Sequence, residues 1–221
     1  MRKGCERPRL LDYGCGTGNN LLKFQSLGET FGMDASEQAV AYCRQRGLTS
    51  VIQVDRAKDI DIPSPFGVSF DMITLLDVLE HVPDDVATLK QIKKLLSHRG
   101  VVFVTVPAFD FLWSGEDYVS AHIRRYKKSE LLNTFYKAGI EVEKISYFNT
   151  LLFPLQVANI YWNRLFNPKS MYNTNIKKLP DMLNSLFTFV FSIEAQLLKI
   201  TGLPFGGSII CWGRAQKQNT V

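Results

Sequence analysis

A glycine-rich turn constrains this chain more than any other feature of its sequence. Gly14, Gly16 and Gly18 follow an apolar run that ends near Asp12, and helix-like residues come after them. Because glycine has no Cβ, it allows a strand to turn sharply and lets a ligand approach the backbone. A dinucleotide-binding turn has the pattern Gly-x-Gly-x-x-Gly, whereas Asn19 stands here at the place of the third glycine. The turn therefore favours a different adenosine-type ligand.

A second acidic residue supports that interpretation. Residues 31–33 form a short strand-like segment that ends in Asp34, sixteen residues after Gly18. A carboxylate at this place accepts both hydroxyls of an adenosine ribose. An adenosine ligand without a pyrophosphate, bound close to Asp12, predicts S-adenosylmethionine (SAM) as the cofactor.

Composition sets broad limits on the class of protein. The 221 residues suit one α/β domain with an elaboration, and a net charge of +5 does not by itself indicate nucleic acid. The four cysteines show no paired or zinc-type spacing, so we expect reduced thiols. No apolar signal region opens the chain, and no stretch of about 20 residues lacks charged or strongly polar groups, so no spanning helix is predicted. We therefore expect a cytoplasmic protein.

Strand-like and helix-like segments alternate at short intervals, which predicts a parallel sheet with helical crossovers. Three helices have recognisable N-caps, namely Ser36, Asp84 or Asp85, and Ser129, and residues 98–100 should end the second of them. Strands are predicted at 9–13, 30–33, 51–54, 70–76, 101–106, 140–148 and 208–214, and helices at 21–27, 37–46, 85–96 and 130–138.

A long apolar segment separates the last two predicted strands. Residues 151–165 and 183–198 have polar positions at helical spacing and wide apolar faces, which predicts two amphipathic helices. A basic loop with Lys169, Lys177 and Lys178 joins them. We therefore divide the chain into a SAM-binding core (1–148), a helical cap (149–203) and a final strand that completes the core sheet (204–221).

Residues 10–18, Asp34, Asp55, 70–82 and 101–106 resemble the class I SAM-dependent methyltransferases, in order and spacing, over about the first 110 residues. The resemblance implies a doubly wound, Rossmann-like α/β fold with seven strands in the order 3-2-1-4-5-7-6, the seventh antiparallel. That topology places the cap over the cofactor face. It also implies these cofactor-binding residues: Asp12, Gly14, Gly16, Gly18, Asp34, Ala35, Asp55 and Asp77.

The chain departs from this family at its start. Its first strand begins near residue 9, without the helix or two that usually precede it. We expect either that the cap helps to close the cofactor pocket or that the chain is a shortened version.

A narrower resemblance covers the loop after the fifth strand, with Trp113-Ser114, Asp117 and residues 122–126. It is similar to a bacterial and archaeal subgroup with an apolar C-terminal region. Family members bind the acceptor here, so His122 is a candidate base and Arg124 or Arg125 a candidate for a phosphate or carboxylate of the substrate. Trp113 and Tyr126 are candidate walls of that pocket, although a solvated basic turn and ordinary aromatic packing are the alternatives.

Two further histidines have different interpretations. His98 precedes the fifth strand, on the far side of the sheet, and should be structural. His81 follows the fourth strand beside Glu80, where it is either part of a polar floor for the methionine moiety of SAM or a second candidate base. Asp77, Glu80 and His81 also partly resemble the metal-binding trio of ubiquinone-pathway O-methyltransferases, but we predict no metal.

These observations predict a SAM-dependent methyltransferase that acts on oxygen of a small acceptor, with lipid-linked and glycan-type acceptors included. The rivals are a protein or nucleic-acid methyltransferase and a SAM-binding protein without catalysis. The modest charge and the sequence Leu-Leu-Asp-Val after the fourth strand, in place of Asn-Pro-Pro-Tyr, argue against a protein or nucleic-acid methyltransferase. The apolar faces of residues 149–203 predict contact with a lipid acceptor, a membrane surface or a second copy of the chain, unless they form a lid packed on their own domain.

Overall fold

The computed structural model describes residues 7–54, 66–167 and 180–215. Seven strands form one sheet in the order β3-β2-β1-β4-β5-β7-β6, and β7 runs antiparallel to both of its neighbours. The predicted α/β fold, strand order and antiparallel strand are confirmed. The strands are β1 (Arg9–Tyr13), β2 (Glu29–Asp34), β3 (Val51–Gln53), β4 (Phe70–Leu76), β5 (Leu96–Pro107), β6 (Ile140–Phe148) and β7 (Ser208–Ala215).

Helices and two short 3₁₀ turns connect these strands. Ser36 and Asp84 cap the second and third helices as predicted, since their side chains accept the N–H groups of Ala39 and Ala87. The helices are α1 (Asn19–Phe24), α2 (Glu37–Gln45), α3 (Asp85–Leu95), α4 (Gly115–Val119), α5 (Lys128–Ala138), α6 (Phe153–Phe166) and α7 (Asp181–Ile200), and the 3₁₀ turns are Leu79–His81 and Asp110–Leu112.

Two local expectations were wrong. The strand β5 begins at Leu96, directly after α3, so His98 lies within a strand and not in a terminating turn. The N-cap of α5 is Lys127, whose N–H donates to the Glu130 carboxylate over 2.8 Å, and not Ser129. The short helix α4 was not predicted.

The main apolar core is a cluster of buried side chains from the central strands and the helices that pack on them. Val102, Val104 and Val106 of β5 are fully buried, and Leu131 and Phe135 of α5 pack in the same cluster. Each such side chain stabilises the fold by about 1.5–3 kcal/mol relative to exposure. Because β1 to β6 all run in one direction, their carboxyl ends meet at one edge of the sheet, and the turns that leave this edge carry the residues discussed below.

The two helices predicted in the segment 149–203 are confirmed as α6 and α7, whereas Lys169, Lys177 and Lys178 between them lie outside the described residues. The expectation that no helix could span a membrane needs correction. Among the described residues, α7 has the length and composition to do so, with 20 residues and a mean hydropathy of 1.2.

Candidate active site

The glycine turn folds tightly at the carboxyl end of β1. Gly14, Gly16 and Gly18 all have positive φ angles, of 80°, 52° and 80°, which explains why glycine occupies each position. A Cβ on Gly14 would lie 2.6 Å from Val78 Cγ2, and one on Gly18 would lie 2.4 Å from a Leu48 methyl carbon. A Cβ on Gly16 would meet nothing within 4 Å, so this side of the turn is open to a ligand.

Asp34 joins the glycine turn to the turn after β2. Its Oδ2 accepts the N–H of Gly16 and its Oδ1 accepts the N–H of Ser36, both over 2.8 Å. Each carboxylate oxygen keeps a further lone pair, which suits two ribose hydroxyls. The open Gly16 backbone and the fixed Asp34 carboxylate therefore fit the adenosine and amino-acid parts of SAM.

The other predicted cofactor residues have different surroundings. Asp12 is closed to solvent, and its Oδ1 accepts the Thr74 hydroxyl over 2.6 Å; burial raises the pKa of its carboxyl. Asp77 is exposed beyond β4 and has a φ of 56°. The carbonyl of Ala35 accepts the side-chain amide of Gln53 over 3.2 Å, and Asp55 lies outside the described residues.

The loop after β5 is organised around one buried carboxylate, that of Asp117. It accepts the backbone N–H of Ser114 over 2.7 Å and a bidentate pair of hydrogen bonds from Arg125 Nε and Nη2, over 2.8 and 2.9 Å. Burial alone would raise the pKa of Asp117, but the hydrogen bonds and charge of Arg125, with the His122 bond, lower it. Asp117 is therefore a charged anchor for the loop.

His122 takes its orientation from the same carboxylate. Its Nδ1 lies 2.9 Å from Asp117 Oδ1, and its backbone N–H donates to the carbonyl of Asp117. Since a charged carboxylate only accepts, Nδ1 carries the proton and Nε2 keeps a free lone pair. The His122 ring is 4.7 Å from the His81 ring, in an edge-to-face arrangement. This pairing brings the two predicted catalytic residues together.

Glu80 lies beside these rings and is fully buried. Neither carboxyl oxygen has a hydrogen-bond partner among the described residues, and Oε1 is 4.0 Å from His122 Nε2. Burial, with the nearby charge of Asp77, raises the pKa of Glu80 to about 8. At neutral pH it is therefore largely a neutral acid that can donate one proton.

Three predicted substrate-binding side chains have partners within the protein. The Arg125 guanidinium forms an ion pair with Asp117 and donates to the carbonyl of Ala108 over 2.9 Å. Arg124 donates to the carbonyl of Pro83 over 2.6 Å and lies 3.4 Å from Asp85 Oδ2. We therefore assign both arginines to the framework of the loop.

Tyr126 belongs to the core and not to an open pocket wall. It is 3% exposed, and its hydroxyl lies 2.9 Å from Asp85 Oδ2. Burial and the Asp85 carboxylate raise the pKa of this phenol. Trp113, in contrast, has a buried Nε1 without an acceptor among the described residues, so it remains a candidate for acceptor binding.

A possible set of metal ligands differs from the expected trio. Glu80, His81 and His122 each offer one ligand atom, and these atoms lie within 4.8 Å of one another. Asp77 is not part of this group, and its Oδ1 accepts the Thr105 hydroxyl over 3.3 Å. Two imidazoles with one carboxylate suit transition metals better than Mg²⁺, so the donor set does not fit a carboxylate-rich magnesium site.

Asp117 and the buried state of Glu80 were missed as functional features. The pattern Ser114-x-x-Asp117 does identify a capping box at the start of α4. Nothing in the local sequence, however, indicates that the Asp117 carboxylate also binds Arg125, eight residues on.

The fold and this edge of the sheet define a class I, SAM-dependent type of methyltransferase domain. A sequence profile described as a methyltransferase domain matches residues 3–145, well over half of the chain. The chain therefore belongs to the methyltransferase-domain family, and SAM is the cofactor that this family implies.

Known proteins agree with this assignment. The ubiquinone biosynthesis O-methyltransferase of Xanthomonas oryzae pv. oryzae is 30% identical over 154 residues, which cover 62% of this chain and 64% of that relative. The SAM-dependent methyltransferase of Mesorhizobium loti has the same fold, with a TM-score of 0.60 at 15% identity, over 95% of this chain and 91% of that one. For the SAM-dependent methyltransferase of Archaeoglobus fulgidus the TM-score is 0.57 at 16% identity, over 96% and 86%.

Proposed function

We propose that this protein transfers a methyl group from SAM to an oxygen atom of a small-molecule acceptor. The orientation of His122 by Asp117 is the observation that carries the proposal. A base is useful for an oxygen acceptor because a hydroxyl must lose its proton as it attacks carbon. The Xanthomonas relative is an O-methyltransferase by name, which supports oxygen as the accepting atom.

In this proposal Asp34 and the glycine turn bind the cofactor, which supplies its methyl group as an electrophilic carbon on a sulfonium. The acceptor hydroxyl lies against His122 Nε2. That nitrogen takes the proton while the new O–C bond forms and the C–S bond breaks, and Asp117 stabilises the resulting imidazolium. Holding the acceptor in line with the methyl carbon supplies much of the remaining rate.

Glu80 is suited to support this proton transfer. As a neutral acid near His122 it places no second negative charge beside Asp117. His81 packs against the His122 ring and limits its rotation. We assign catalysis to His122 and a positioning role to Asp117, with His81 as the alternative base.

The acceptor is expected between the loop after β5 and α6. A cavity of about 160 Å³ lies there, lined by residues that include Ser114, Gln156 and Asn159 and not by His122 itself. Its volume is below the roughly 300–1,000 Å³ of a complete small-molecule site, so it would hold only part of an acceptor. The division of the chain into a core (1–148) and a cap (149–203) is part of this proposal. We also propose a cytoplasmic enzyme whose cap meets an apolar partner.

The test is SAM consumption with a panel of hydroxylated acceptors, soluble and lipid-linked, with SAM affinity measured by calorimetry. We expect His122→Gln to keep SAM affinity within about threefold and to lower turnover about 10²–10⁴-fold. His98→Gln is the matched control, because His98 is exposed at the start of β5. Normal turnover in His122→Gln would contradict the assigned base.

Two additional measurements separate the rival functions. SAM binding without turnover on any acceptor would favour a regulatory SAM-binding protein, and methylation of protein or nucleic acid would favour the macromolecular alternative. Loss of turnover after chelation, with recovery on adding a divalent metal, would instead identify Glu80, His81 and His122 as a metal site.

A further inference from the structure

The outward side of α7 carries an apolar stripe that no described residue covers. Its members recur every three or four residues, so they share one face of the helix. Their exposed fractions lie between 38% and 83%. We call these residues the outer stripe: Met182, Leu186, Phe189, Ile193, Leu197 and Ile200.

The other two sides of α7 are accounted for. Glu194 faces the domain, where its carboxylate accepts the backbone N–H groups of Asn149, Thr150 and Leu151 just before α6. A third side is polar and exposed, and it includes Ser192 and Gln196. The outer stripe is thus neither the face that packs on the sheet nor the ordinary solvent face.

Helix α6 has a similar exposed face. Leu155, Trp162 and Phe166 lie on one side of it and are 57%, 64% and 66% exposed, and the two rings are 4.4 Å apart. Large aromatic side chains of this kind are enriched where a helix meets the boundary of a lipid bilayer. Two consecutive helices therefore leave apolar surface without cover among the described residues.

The anchoring of Glu194 decides how α7 can meet a bilayer. With a rise of about 1.5 Å per residue, a 20-residue helix matches the hydrocarbon thickness. A spanning position would carry the Glu194 carboxylate and the chain at residues 149–151 into hydrocarbon. A helix with one apolar stripe and one polar side lies instead in the plane of the interface.

Charge distinguishes a bilayer from a second copy of the chain. Between residues 151 and 200 the basic residues outnumber the acidic ones, and one of the two acids, Glu194, is bound within the domain. A second copy would bring segments of the same positive sign together, whereas anionic headgroups complement them. The basic residues are Arg164 and Lys199 in the described helices and Lys169, Lys177 and Lys178 in the sequence between them, outside the described residues, and the acidic ones are Asp181 and Glu194.

We propose that α6 and α7 dock this protein on the surface of an anionic lipid bilayer, with the outer stripe inserted at the level of the headgroups. Arg164 of α6 also donates to the carbonyls of Phe111 and Trp113, over 2.8 and 2.7 Å, in the loop that carries His122. Docking therefore brings this loop close to the membrane. An acceptor held in the membrane follows from this placement, a consequence that rests on the proposed methyl transfer.

The test uses the full chain with vesicles of phosphatidylcholine alone and with one-quarter phosphatidylglycerol, at low and high salt. We expect sedimentation with the anionic vesicles, weakened by salt. The variant Ile193→Glu should bind at least about tenfold more weakly, since it places a charge on the inserted stripe. Ser192→Glu adds the same charge one residue away, on the polar side, and should stay within about threefold of the wild type.

Light scattering of the same proteins gives their mass. An absence of vesicle binding by the wild type, or equal binding by the two variants, would overturn the proposal. A dimer that Ile193→Glu converts to a monomer, without vesicle binding, would assign the stripe to a second copy and overturn it as well. SAM affinity and turnover on a soluble acceptor are measured without vesicles, so failure of docking is distinguishable from failure of the methyltransferase assignment.

Discussion

The polar centre and the two cap helices both depart from the usual pattern of burial, in different ways. In the polar centre, formed by Glu80, Asp117, His122 and Arg125, ionisable side chains are largely closed to solvent. In α6 and α7 many large apolar side chains are exposed, and the buried acid is Glu194. Burial in the first region fixes one imidazole in one orientation, whereas exposure in the second leaves a surface suited to a partner.

The two buried glutamates make the same contrast in detail. Glu194 accepts three backbone N–H groups and thereby ties α7 to the start of α6. Glu80 has no such donors among the described residues, and its pKa is raised to about 8. The first carboxylate is satisfied and structural, while the second retains the capacity to exchange a proton near neutral pH.

The largest expected effect comes from removing the partner of Asp117. Arg125→Ala leaves a buried carboxylate without its bidentate cation and should lower the free energy of unfolding by about 3–5 kcal/mol. Arg124→Ala is the control, because that side chain is partly exposed and its ion pair should contribute no more than about 1 kcal/mol. Denaturant unfolding measures both.

If Arg125→Ala does not fold, Arg125→Lys is measured instead, because it keeps the positive charge but loses the bidentate geometry. Equal stability of the two alanine variants would remove the distinction between a sealed polar centre and an ordinary surface loop.

The second effect is a pH dependence that Glu80 imposes on stability. Between its ordinary pKa and about 8, the folded protein keeps a proton on Glu80 that the unfolded chain has released. Stability should therefore fall as pH rises through this window, by up to about 1.4 kcal/mol per pH unit, and level off above it. Glu80→Gln should remove this slope in unfolding measurements from pH 6 to pH 9. An unchanged slope would mean that Glu80 is ionised in the folded state.

Local sequence signals predicted much of the fold. The predicted bounds of β1, β4 and β6 agree with the observed bounds residue for residue, because turn-forming residues flank each of them. The start of β5 at Leu96 was missed, since it follows α3 without any turn signal. Prediction from sequence is most accurate where turn-forming residues bound a segment on both sides, and least accurate where two elements meet directly.

The candidate site was less accessible to sequence reasoning. Arg124 and Tyr126 both lie next to Asp85, about forty residues earlier in the chain, and no local pattern connects them. A cationic residue in a loop looks the same in sequence whether it binds a substrate or a buried acid. The difference is decided by tertiary contacts, as the pairing of Arg125 with Asp117 illustrates.

A third, smaller effect concerns cofactor binding at the opposite side of the same sheet edge. Asp34→Ala removes the charged acceptor proposed for the ribose hydroxyls and should lower SAM affinity by about 1.5–3 kcal/mol. Glu37→Ala, an exposed acid in the first turn of α2, is the matched control. Calorimetric titration with SAM and with NAD measures this. Tight binding of NAD with none for SAM would contradict the cofactor assignment itself.

The smallest effect should arise in the cap, and it tests whether the cap is energetically separate from the core. Glu194→Gln replaces a charged acceptor of three N–H groups with a neutral amide oxygen, and hydrogen bonds to charged groups are roughly twice as strong. We expect a local loss of about 1–2 kcal/mol, which raises cleavage within residues 181–200 in limited proteolysis about 5–30-fold. The unfolding midpoint of the core should change little, and Gln196→Ala, on the exposed polar side of α7, should change neither quantity. If Glu194→Gln instead lowers the core midpoint together with the protection of α7, the cap and the core unfold as one unit. In that case the exposed stripe belongs to a rigid part of the domain, and docking would have to occur without movement of α7.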